Sequence, residues 1–504
     1  MNKPVVGSTC VLLLTLTITR GHVSPANTPE GEALSVPAAA RAQSTDPFGP
    51  VRDAMQHMVE TIGSPSVAVA IAKDGRIVWE HAIGWADREK RIPATVHTIY
   101  GLASISKPIT ATGLMLLAER GRVDLDKPVN DYLGAAKLTG IAGDANGATL
   151  RRVLSHTAGL PLHSHFFYSD RGYLPPPMDE TIRRYGNLVF PPGETFEYSN
   201  LGYGVLSYVI ERVSGRSFRD FMRHEVFDPL GLTHTSIDPP QGREDSVAVG
   251  YGSDGIFPSF TFDHIGASSA YSSAHDLIRF AMFHLKNRPP GRRPLLSDTS
   301  IDAMHSVVPP ATDYALGFNV GREPRRLAHG GGMPGGATLM VLYPDENVAV
   351  VVLTNTSTRE AVFQQSRAII GAALALVSPR LQLSPPAQAP RGSIATLAGD
   401  WRGTIRTYQG TVSLRLLIDA NGTAQAWVGD QPGAPVSNVS FANGRFSGNC
   451  AATIPTDDAQ RWPHQVRIGL LLRDGTLAGQ VTANSTADRI YFSLSSYAQL
   501  RKQS

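Results

Sequence analysis

Hydrophobic positions between residues 47 and 377 follow two different periods. Apolar residues recur every three or four positions in four segments, which predicts helices near residue 51 and over 104–120, 201–213 and 358–376. Apolar runs on either side of Asp74-Gly75 and of residues 344–347 predict one β-hairpin near each end of the region. We therefore predict an α/β (α+β) domain over 47–377, with an antiparallel sheet built from both ends of the domain and covered by helices.

The pattern changes after residue 377. Residues 378–395 are rich in proline and have little hydrophobic periodicity, which predicts a linker. From 396 to 504, apolar and polar residues alternate, and Asn421-Gly422, Asn443-Gly444 and Asp474-Gly475 are typical hairpin turns. This part of the chain is predicted to form a C-terminal all-β domain, a small barrel or a lipocalin-like fold.

The first 42 residues are organised like an export signal peptide. Lys3 precedes an apolar stretch over 11–18, and Ala40-Arg41-Ala42 matches a cleavage site with small residues. Because the apolar stretch is too short to span a bilayer comfortably, we expect a periplasmic or secreted protein without a stable membrane span. The separation between the stretch and the cleavage site leaves an earlier cut, or retention of the segment, as alternatives.

Composition and charge indicate which kinds of molecule this protein binds. With 42% hydrophobic and 18% charged residues, the chain has the composition of a globular protein. Its net charge of +3 comes from Lys and Arg scattered among Asp and Glu, so we expect no nucleic-acid partner. Cys10 lies inside the predicted signal, which leaves Cys450 without an intrachain disulfide partner. A small-molecule or peptide substrate is the expected partner, and the oligomeric state stays open.

Ser104 and Lys107 are the first candidates for chemistry. They lie three residues apart at the start of a predicted helix, so both side chains share one face. A serine hydroxyl needs an adjacent base to become a nucleophile, and a desolvated lysine can be that base. The alternative is that Ser104 caps the helix and that Lys107 is solvated.

Tyr198-Ser199-Asn200 is the second candidate motif. A tyrosine hydroxyl near a lysine can pass a proton to a leaving group, and an asparagine amide can hold both the lysine and a substrate carbonyl. Tyr185-Gly186-Asn187 has the same spacing, but Tyr198 is preferred because it precedes a clear helix after a turn. The alternative is a core tyrosine followed by a helix-capping asparagine.

His329-Gly330-Gly331-Gly332 is the third motif. Glycines allow a substrate to approach the backbone closely, so a backbone N–H here could complete an oxyanion hole. A glycine-rich strand edge is the structural alternative. The HGGG loop of α/β-hydrolases is excluded because its G-x-S-x-G partner does not occur in this sequence.

Three histidines, His156, His163 and His165, lie close together in the sequence. A zinc site can be imagined there, but the spacing is irregular and no fourth ligand is evident. His156 is more simply interpreted as a residue that stabilises a turn.

The three motifs, in this order and at these intervals, resemble those of the serine β-lactamase and penicillin-binding protein superfamily. The resemblance is strongest to the branch with class C β-lactamases, D-aminopeptidases, D-alanyl-D-alanine carboxypeptidases and related esterases. It covers roughly residues 50–377 and includes the segments GLASISKPITATGLMLLAERGRVDLDKPVNDYL, LSHTAGLP and PGETFEYSN.

The resemblance implies an acyl-enzyme cycle without a metal or cofactor. Ser104 would be the nucleophile, Lys107 its base and Tyr198 the proton donor to the leaving group. Asn200 and His329 would bind substrate together with the strand at Gly331 and Gly332. The N–H groups of Ser104 and Gly332 would form the oxyanion hole.

One departure from the family pattern bears on the substrate. Many β-lactamases carry Lys-Thr-Gly where this chain has His329-Gly330-Gly331, and a histidine is mostly neutral near pH 7. We therefore expect an exported serine hydrolase that acts on an ester, an amide or a D-amino-acid peptide. A penicillin-binding or sensor-like protein that acylates without efficient turnover, and a true β-lactamase, are the alternatives.

Overall fold

The computed structural model describes residues 46–288, 294–357, 359–381 and 393–503. The predicted signal peptide over 1–42 lies outside these ranges, and so does most of the predicted linker over 378–395. Within the described ranges, no helix combines the length and the hydropathy that a membrane crossing requires.

Residues 46–381 contain a seven-stranded main sheet with helices on both of its faces, a three-stranded sheet of β4, β10 and β6, and the short pair β7 and β8. The strands of this part, in chain order, are β1 Ser66–Lys73, β2 Arg76–Asp87, β3 Ile92–Pro93, β4 Tyr100–Gly101, β5 Ser164–Tyr168, β6 Thr235–Ile237, β7 Tyr251–Gly252, β8 Gly255–Ile256, β9 Phe260–Phe262, β10 Ala270–Ser272, β11 Asn319–Arg322, β12 Arg325–Met333, β13 Gly336–Tyr343 and β14 Val348–Thr354. The helices are α1 Gly49–Glu60, α2 Ser106–Glu119, α3 Leu150–Leu154, α4 Met178–Tyr185, α5 Asn200–Ser214, α6 Phe218–Met222, α7 Asp228–Leu230, α8 Ile265–Ser268, α9 Ala274–His284, α10 Asp298–Met304 and α11 Glu360–Val377.

The main sheet is antiparallel and joins the two ends of this part of the chain. Its strand order is β11-β12-β13-β14-β1-β2-β3, and the central pair aligns Val67 with Thr354. Alternate residues of β1 face opposite sides: Val67 packs in the cluster beneath α1 and α11, whereas Ala68 packs in the larger core. Since both faces of β1 and β14 are buried, their sequences are almost continuously apolar. The predicted fold class is confirmed.

The C-terminal part is an eight-stranded closed barrel. Its strands are β15 Gly399–Thr407, β16 Gly410–Ile418, β17 Ala424–Val428, β18 Ala434–Ala442, β19 Arg445–Cys450, β20 His464–Arg473, β21 Thr476–Ser485 and β22 Phe492–Lys502, with a short helix α12 Asp457–Gln460. Each strand pairs antiparallel with the next, and β22 returns to pair with β15. Leu414, Leu416 and Ile418 point into the barrel, as their alternation predicts. The predicted C-terminal all-β domain is confirmed, and its strands form a closed up-and-down barrel.

The barrel is joined to the first part of the chain by shared structure. The start of β22 pairs with β5, with Phe492 opposite His165, and β5 pairs in turn with β9. Asp458 of α12 accepts hydrogen bonds from Arg184 Nη1 at 2.9 Å and from Tyr185 Oη at 2.8 Å. The sequence patterns predicted two separate units but not this continuous β-structure between them.

Candidate active site

Ser104 is presented by a tight turn at the edge of the main sheet. The predicted helix over 104–120 begins as an α-helix only at Ser106, and Ser104 lies in a 3-10 turn over Ala103–Ile105. Ala103 has a φ of +48°, in the left-handed region that residues other than glycine rarely adopt. The turn buries Ala103 and Ile105 and leaves Ser104 half-buried, so the hydroxyl can be reached from outside.

Lys107 is fully buried on the first turn of α2. Its Nζ lies 3.1 Å from Ser104 Oγ and donates hydrogen bonds to Asn200 Oδ1 at 2.7 Å and to the backbone oxygen of Ala267 at 3.2 Å. Burial holds the pKa of Lys107 well below its usual range. A neutral amine has two N–H groups and one lone pair. When the two carbonyl oxygens accept the N–H groups, the lone pair is left for the Ser104 hydroxyl.

Tyr198 lies directly before Ser199, which caps α5, and it packs beside Lys107. Lys107 Nζ lies 4.7 Å from the centre of the Tyr198 ring, and the imidazole of His156 lies 4.4 Å from that ring, centroid to centroid. Burial raises the pKa of Tyr198, and a hydrogen bond with Ser104 offsets part of this effect. The phenol is therefore protonated at neutral pH, so it can donate a proton to a departing group.

Asn200 is fixed at both ends of its side-chain amide. The amide oxygen accepts from Lys107, and Nδ2 donates to Ser164 Oγ at 2.9 Å. Helix α5 begins here because the Ser199 hydroxyl accepts from the backbone N–H of Gly202. The sequence motif identified Asn200, whereas no pattern singled out Ser164, which is supplied by β5.

The glycine motif forms the part of β12 that faces the Ser104 turn. Strand β11 pairs only with residues 325–328, so the segment from His329 to Met333 packs instead against the turn. A Cβ at Gly331 would lie 2.0 Å from the backbone oxygen of Leu102, which precedes the turn. Only glycine allows this approach, and the neighbouring Gly332 is exposed beside it.

His329 is buried and neutral. Burial and the nearby Lys107 lower the pKa of His329 to about 3. Its Nε2 lies 3.1 Å from the hydroxyl oxygen of Tyr314, whose ring also packs 4.7 Å from that of His156. Tyr314 was not identified from the sequence, because no motif surrounds it.

The second tyrosine with the same motif spacing lies elsewhere. Tyr185 Oη donates to Asp458 of the barrel, so Tyr185 belongs to the contact between the two parts of the chain. Of the three histidines considered for a zinc site, His163 and His165 are neighbours with ring centroids 6.4 Å apart, whereas His156 has separate surroundings. His156 Nδ1 accepts from the backbone N–H of Ser199, whereas His163 and His165 lie at and next to the start of β5.

Within the described ranges, His163, Asp263 and His264 form one buried group that could hold a metal ion. One oxygen of Asp263 lies 2.8 Å from His163 Nε2, and the other lies 2.7 Å from His264 Nδ1. Two ligand atoms on a tetrahedral zinc ion would lie about 3.3 Å apart, since each is about 2.0–2.1 Å from the metal. The shorter distances fit shared protons, so this group is better described as a hydrogen-bonded network.

Asp263 is the charged member of this network. Burial opposes its ionisation, but His163 and His264 hold the pKa of Asp263 well below its usual range. His264 directly precedes α8, which carries the Ala267 oxygen that accepts from Lys107. The network therefore lies behind the catalytic candidates and fixes the segment that supports the lysine.

Comparison with known proteins places this geometry in context. The family model described as Beta-lactamase matches residues 51–375. Penicillin-binding protein 4* of Bacillus subtilis (strain 168) is 28% identical over 359 residues, which cover 64% of this chain and 75% of that protein. Protein flp of Staphylococcus aureus (strain N315) is 26% identical over 313 residues, which cover 60% of this chain and 62% of that protein. The chain thus spans less than two thirds of the length of protein flp.

Among solved structures, SurE crystallised with D-Leu has a TM-score of 0.63 and 23% sequence identity to this chain. The similarity covers 89% of this chain and 99% of SurE. At 23% sequence identity, this structural similarity shows a shared fold and nothing more. Because the coverage extends well beyond the family match, the shared fold includes barrel residues as well as the main sheet.

Proposed function

This chain belongs to the serine β-lactamase and penicillin-binding protein superfamily, whose members are serine hydrolases that act through an acyl-enzyme, and we propose that Ser104 is the residue it acylates. The proposed enzyme is exported and hydrolyses an ester, an amide or a D-amino-acid peptide. One observation carries the proposal: a fully buried lysine with a lowered pKa lies 3.1 Å from the oxygen of a half-buried serine.

Lys107 is the proposed base for the first step. Its neutral amine takes the proton of the Ser104 hydroxyl while Oγ forms a bond with the substrate carbonyl carbon and the carbonyl π electrons move to oxygen. Tyr198 is a poor choice for this step, because burial raises its pKa and keeps it protonated. The opposite directions of the two pKa shifts thus separate the base from the acid.

Tyr198 is the proposed acid for the second step. As the tetrahedral intermediate collapses, the bond from carbon to the leaving group breaks and the Tyr198 hydroxyl protonates that group. Protonated Lys107, which lies beside the Tyr198 ring, then returns a proton directly to the tyrosine oxygen, so that both side chains regain their starting forms. Water then forms a bond with the acyl carbon and loses a proton to Tyr198, which passes its own proton to Lys107. As the bond from the acyl carbon to Ser104 Oγ breaks, Lys107 returns this proton to Ser104.

The negative charge of both intermediates requires donors near the acyl oxygen. We propose the backbone N–H groups of Ser104 and Gly332, which lie on facing segments of the turn and of β12. Such donors typically contribute a factor of about 10²–10³ to the rate. Asn200 is proposed to hold the substrate, since its amide is oriented by Lys107 and Ser164.

His329 bears on the substrate class. With its pKa near 3, it presents a neutral imidazole instead of a cation, so it lacks the charge that attracts a β-lactam carboxylate. This favours esters and peptides over efficient β-lactam hydrolysis. The periplasm or the exterior remains the proposed location, on the strength of the sequence pattern over 1–42.

Covalent labelling tests the proposal directly. The purified protein is treated with a fluorophosphonate and with penicillin, the modified residue is mapped by mass spectrometry, and turnover is then measured on p-nitrophenyl esters, D-alanyl and D-leucyl peptides and a chromogenic cephalosporin. We expect label on Ser104, with turnover of esters or peptides exceeding that of the cephalosporin.

The matched variants are Ser104→Ala, which should lose both label and turnover, and Ser306→Ala, which removes an exposed hydroxyl just after the end of α10 and should keep both. A persistent penicillin adduct with no product would instead identify a penicillin-binding or sensor-like protein. Label on another residue, or unchanged turnover in Ser104→Ala, would overturn the assignment.

A further inference from the structure

The barrel reaches the loop that carries Tyr198 through one buried carboxylate. Glu197 directly precedes Tyr198, and its side chain is 5% exposed. Its Oε2 accepts from Arg445 Nη1 at 2.6 Å, and its Oε1 accepts from Gln480 Nε2 at 2.5 Å. Both donors belong to the barrel, Arg445 at the start of β19 and Gln480 in β21. The two oxygens of Glu197 are therefore held by the other part of the chain.

Gln480 also connects to the backbone that supports Asn200. Its Oε1 accepts from the backbone N–H of Leu162 at 3.4 Å. The carbonyl oxygen of Leu162 in turn accepts from the backbone N–H of Asn200 at 2.8 Å. A single barrel side chain thus bridges the residue before Tyr198 and the segment on which α5 begins.

A second connection reaches the side chain of Asn200. The pairing of β22 with β5 places Ser493 opposite Ser164. Ser164 Oγ accepts from Asn200 Nδ2, and Asn200 Oδ1 accepts from Lys107. Two residues, Ser164 and Asn200, therefore connect the last barrel strand to Lys107 through direct contacts.

The loop itself is held on its other side within the first part of the chain. The backbone N–H of Glu197 donates to the carbonyl oxygen of His156, and the N–H of Ser199 donates to His156 Nδ1. These bonds fix the backbone on both sides of Tyr198, but they leave the Glu197 carboxylate to the barrel. A buried carboxylate that loses its donors is strongly disfavoured, so the loop would have to move to bring it to water.

We propose that Arg445 and Gln480 are positioning residues of the active site, which act through Glu197 to hold Tyr198 at the leaving group. On this view the barrel completes the catalytic geometry of the first part of the chain. The proposal rests on the proposed function, because it requires Tyr198 to be the proton donor. It does not require either barrel residue to contact the substrate.

The dependence of the hydrolysis rate on the leaving group distinguishes a positioning role from a purely structural one. A basic leaving group, such as the alkoxide of an alkyl ester, needs a proton at the moment of departure, whereas p-nitrophenolate or fluoride departs without one. Displacement of Tyr198 should therefore slow alkyl-ester turnover far more than p-nitrophenyl-ester turnover or fluorophosphonate labelling. We expect Arg445→Met to lower kcat for an alkyl ester about 10-fold or more, with KM changed less than about 2-fold.

Glu197→Gln is the second variant, and it is chosen because a glutamine side chain has nearly the same shape as a glutamate side chain. It should show the same dependence on the leaving group, and the double variant with Arg445→Met should lose no more than the more damaging single variant, because both changes break the same pair. Arg445→Lys should recover part of the loss. If Arg445→Met does not fold, Glu197→Gln alone decides the question.

Arg415→Met is the matched control. Arg415 lies within the barrel, where its Nε pairs with Asp400 Oδ1 at 2.9 Å and its guanidinium lies 4.5 Å from the centre of the Trp427 ring. Arg445 has the same two kinds of contact, since its guanidinium lies 4.8 Å from the centre of the Phe190 ring. The control should keep wild-type kcat on every ester.

The outcomes separate the two proposals. If wild-type Ser104 is not labelled and esters are not hydrolysed, the proposed function fails. If the wild type is labelled and active, but Glu197→Gln and any folded Arg445→Met hydrolyse all esters at the wild-type rate, only the positioning role fails. Equal losses for both kinds of leaving group, or multiplicative losses in the double variant, would also overturn the positioning role.

Discussion

Replacement of Lys107 by methionine should change how the stability of the protein depends on pH. In the unfolded chain this lysine has a pKa of about 10.4 and is charged at pH 7–9. In the folded protein its pKa is lowered well below the usual range by burial, so the proposed neutral base binds no proton over the same window. Folding at pH 7–9 therefore releases one proton at this site, and the free energy of unfolding rises with pH.

The slope is about 1.4 kcal/mol per pH unit for one proton, so the wild type should gain about 2.7 kcal/mol relative to Lys107→Met between pH 7 and pH 9. Urea unfolding of both proteins at pH 7, 8 and 9 measures this difference, in which groups common to the two proteins cancel. Lys137→Met, which makes the same replacement at an exposed position, is the matched control. A pH-independent difference for Lys107→Met would show that the buried amine is charged, which refutes its role as a ready base.

Three further variants test the other members of the site. Tyr198→Phe should lower kcat for amides and alkyl esters about 10²–10³-fold while far-UV circular dichroism stays unchanged, since it removes the hydroxyl of the proposed proton donor alone. Gly331→Ala should lower both kcat/KM and the melting temperature because its Cβ would meet the oxygen of Leu102, whereas Gly371→Ala, where a Cβ meets nothing within 4 Å, should lower neither. His329→Gln should leave the shape of the pH profile of kcat/KM between pH 5 and 8 unchanged, because the pKa of His329 is about 3; loss of an ionisation in that window would contradict its neutral state.

Local patterns in the sequence were enough to predict the fold class and the motifs. The hairpin at Asp74-Gly75 and the buried strands beside it follow from side-chain periodicity, which depends only on neighbours along the chain. The spacing of Ser104 and Lys107 likewise predicts that they share one helical face, and the structure brings their polar atoms to 3.1 Å. The start of the α-helix differs by two residues, because Ala103 in the left-handed region delays it.

The parts that the sequence did not predict depend on contacts between distant segments. Tyr314, which precedes β11, contacts both His329 and His156 because β12 and the segment that follows α3 are brought together by the fold. Tyrosine and histidine are both ordinary residue types, and a lone tyrosine is most often a core residue. A sequence pattern therefore does not distinguish Tyr314 from a tyrosine of the core.

The contact between Glu197 and the barrel is the clearest example of the same limit. Its partner Arg445 lies 248 residues further along the chain, and an isolated arginine at the start of a strand is usually a solvated surface residue. Arg445 differs from such a residue because the Glu197 carboxylate that it contacts is buried, and a charge removed from water must be paired. The barrel was predicted as a separate unit because its hydrophobic alternation is self-contained, yet Arg445 and Gln480, which take outward positions in this alternation, are the residues that reach the loop that carries Tyr198. The proposed positioning role would thus give the barrel a part in catalysis that no sequence motif indicates.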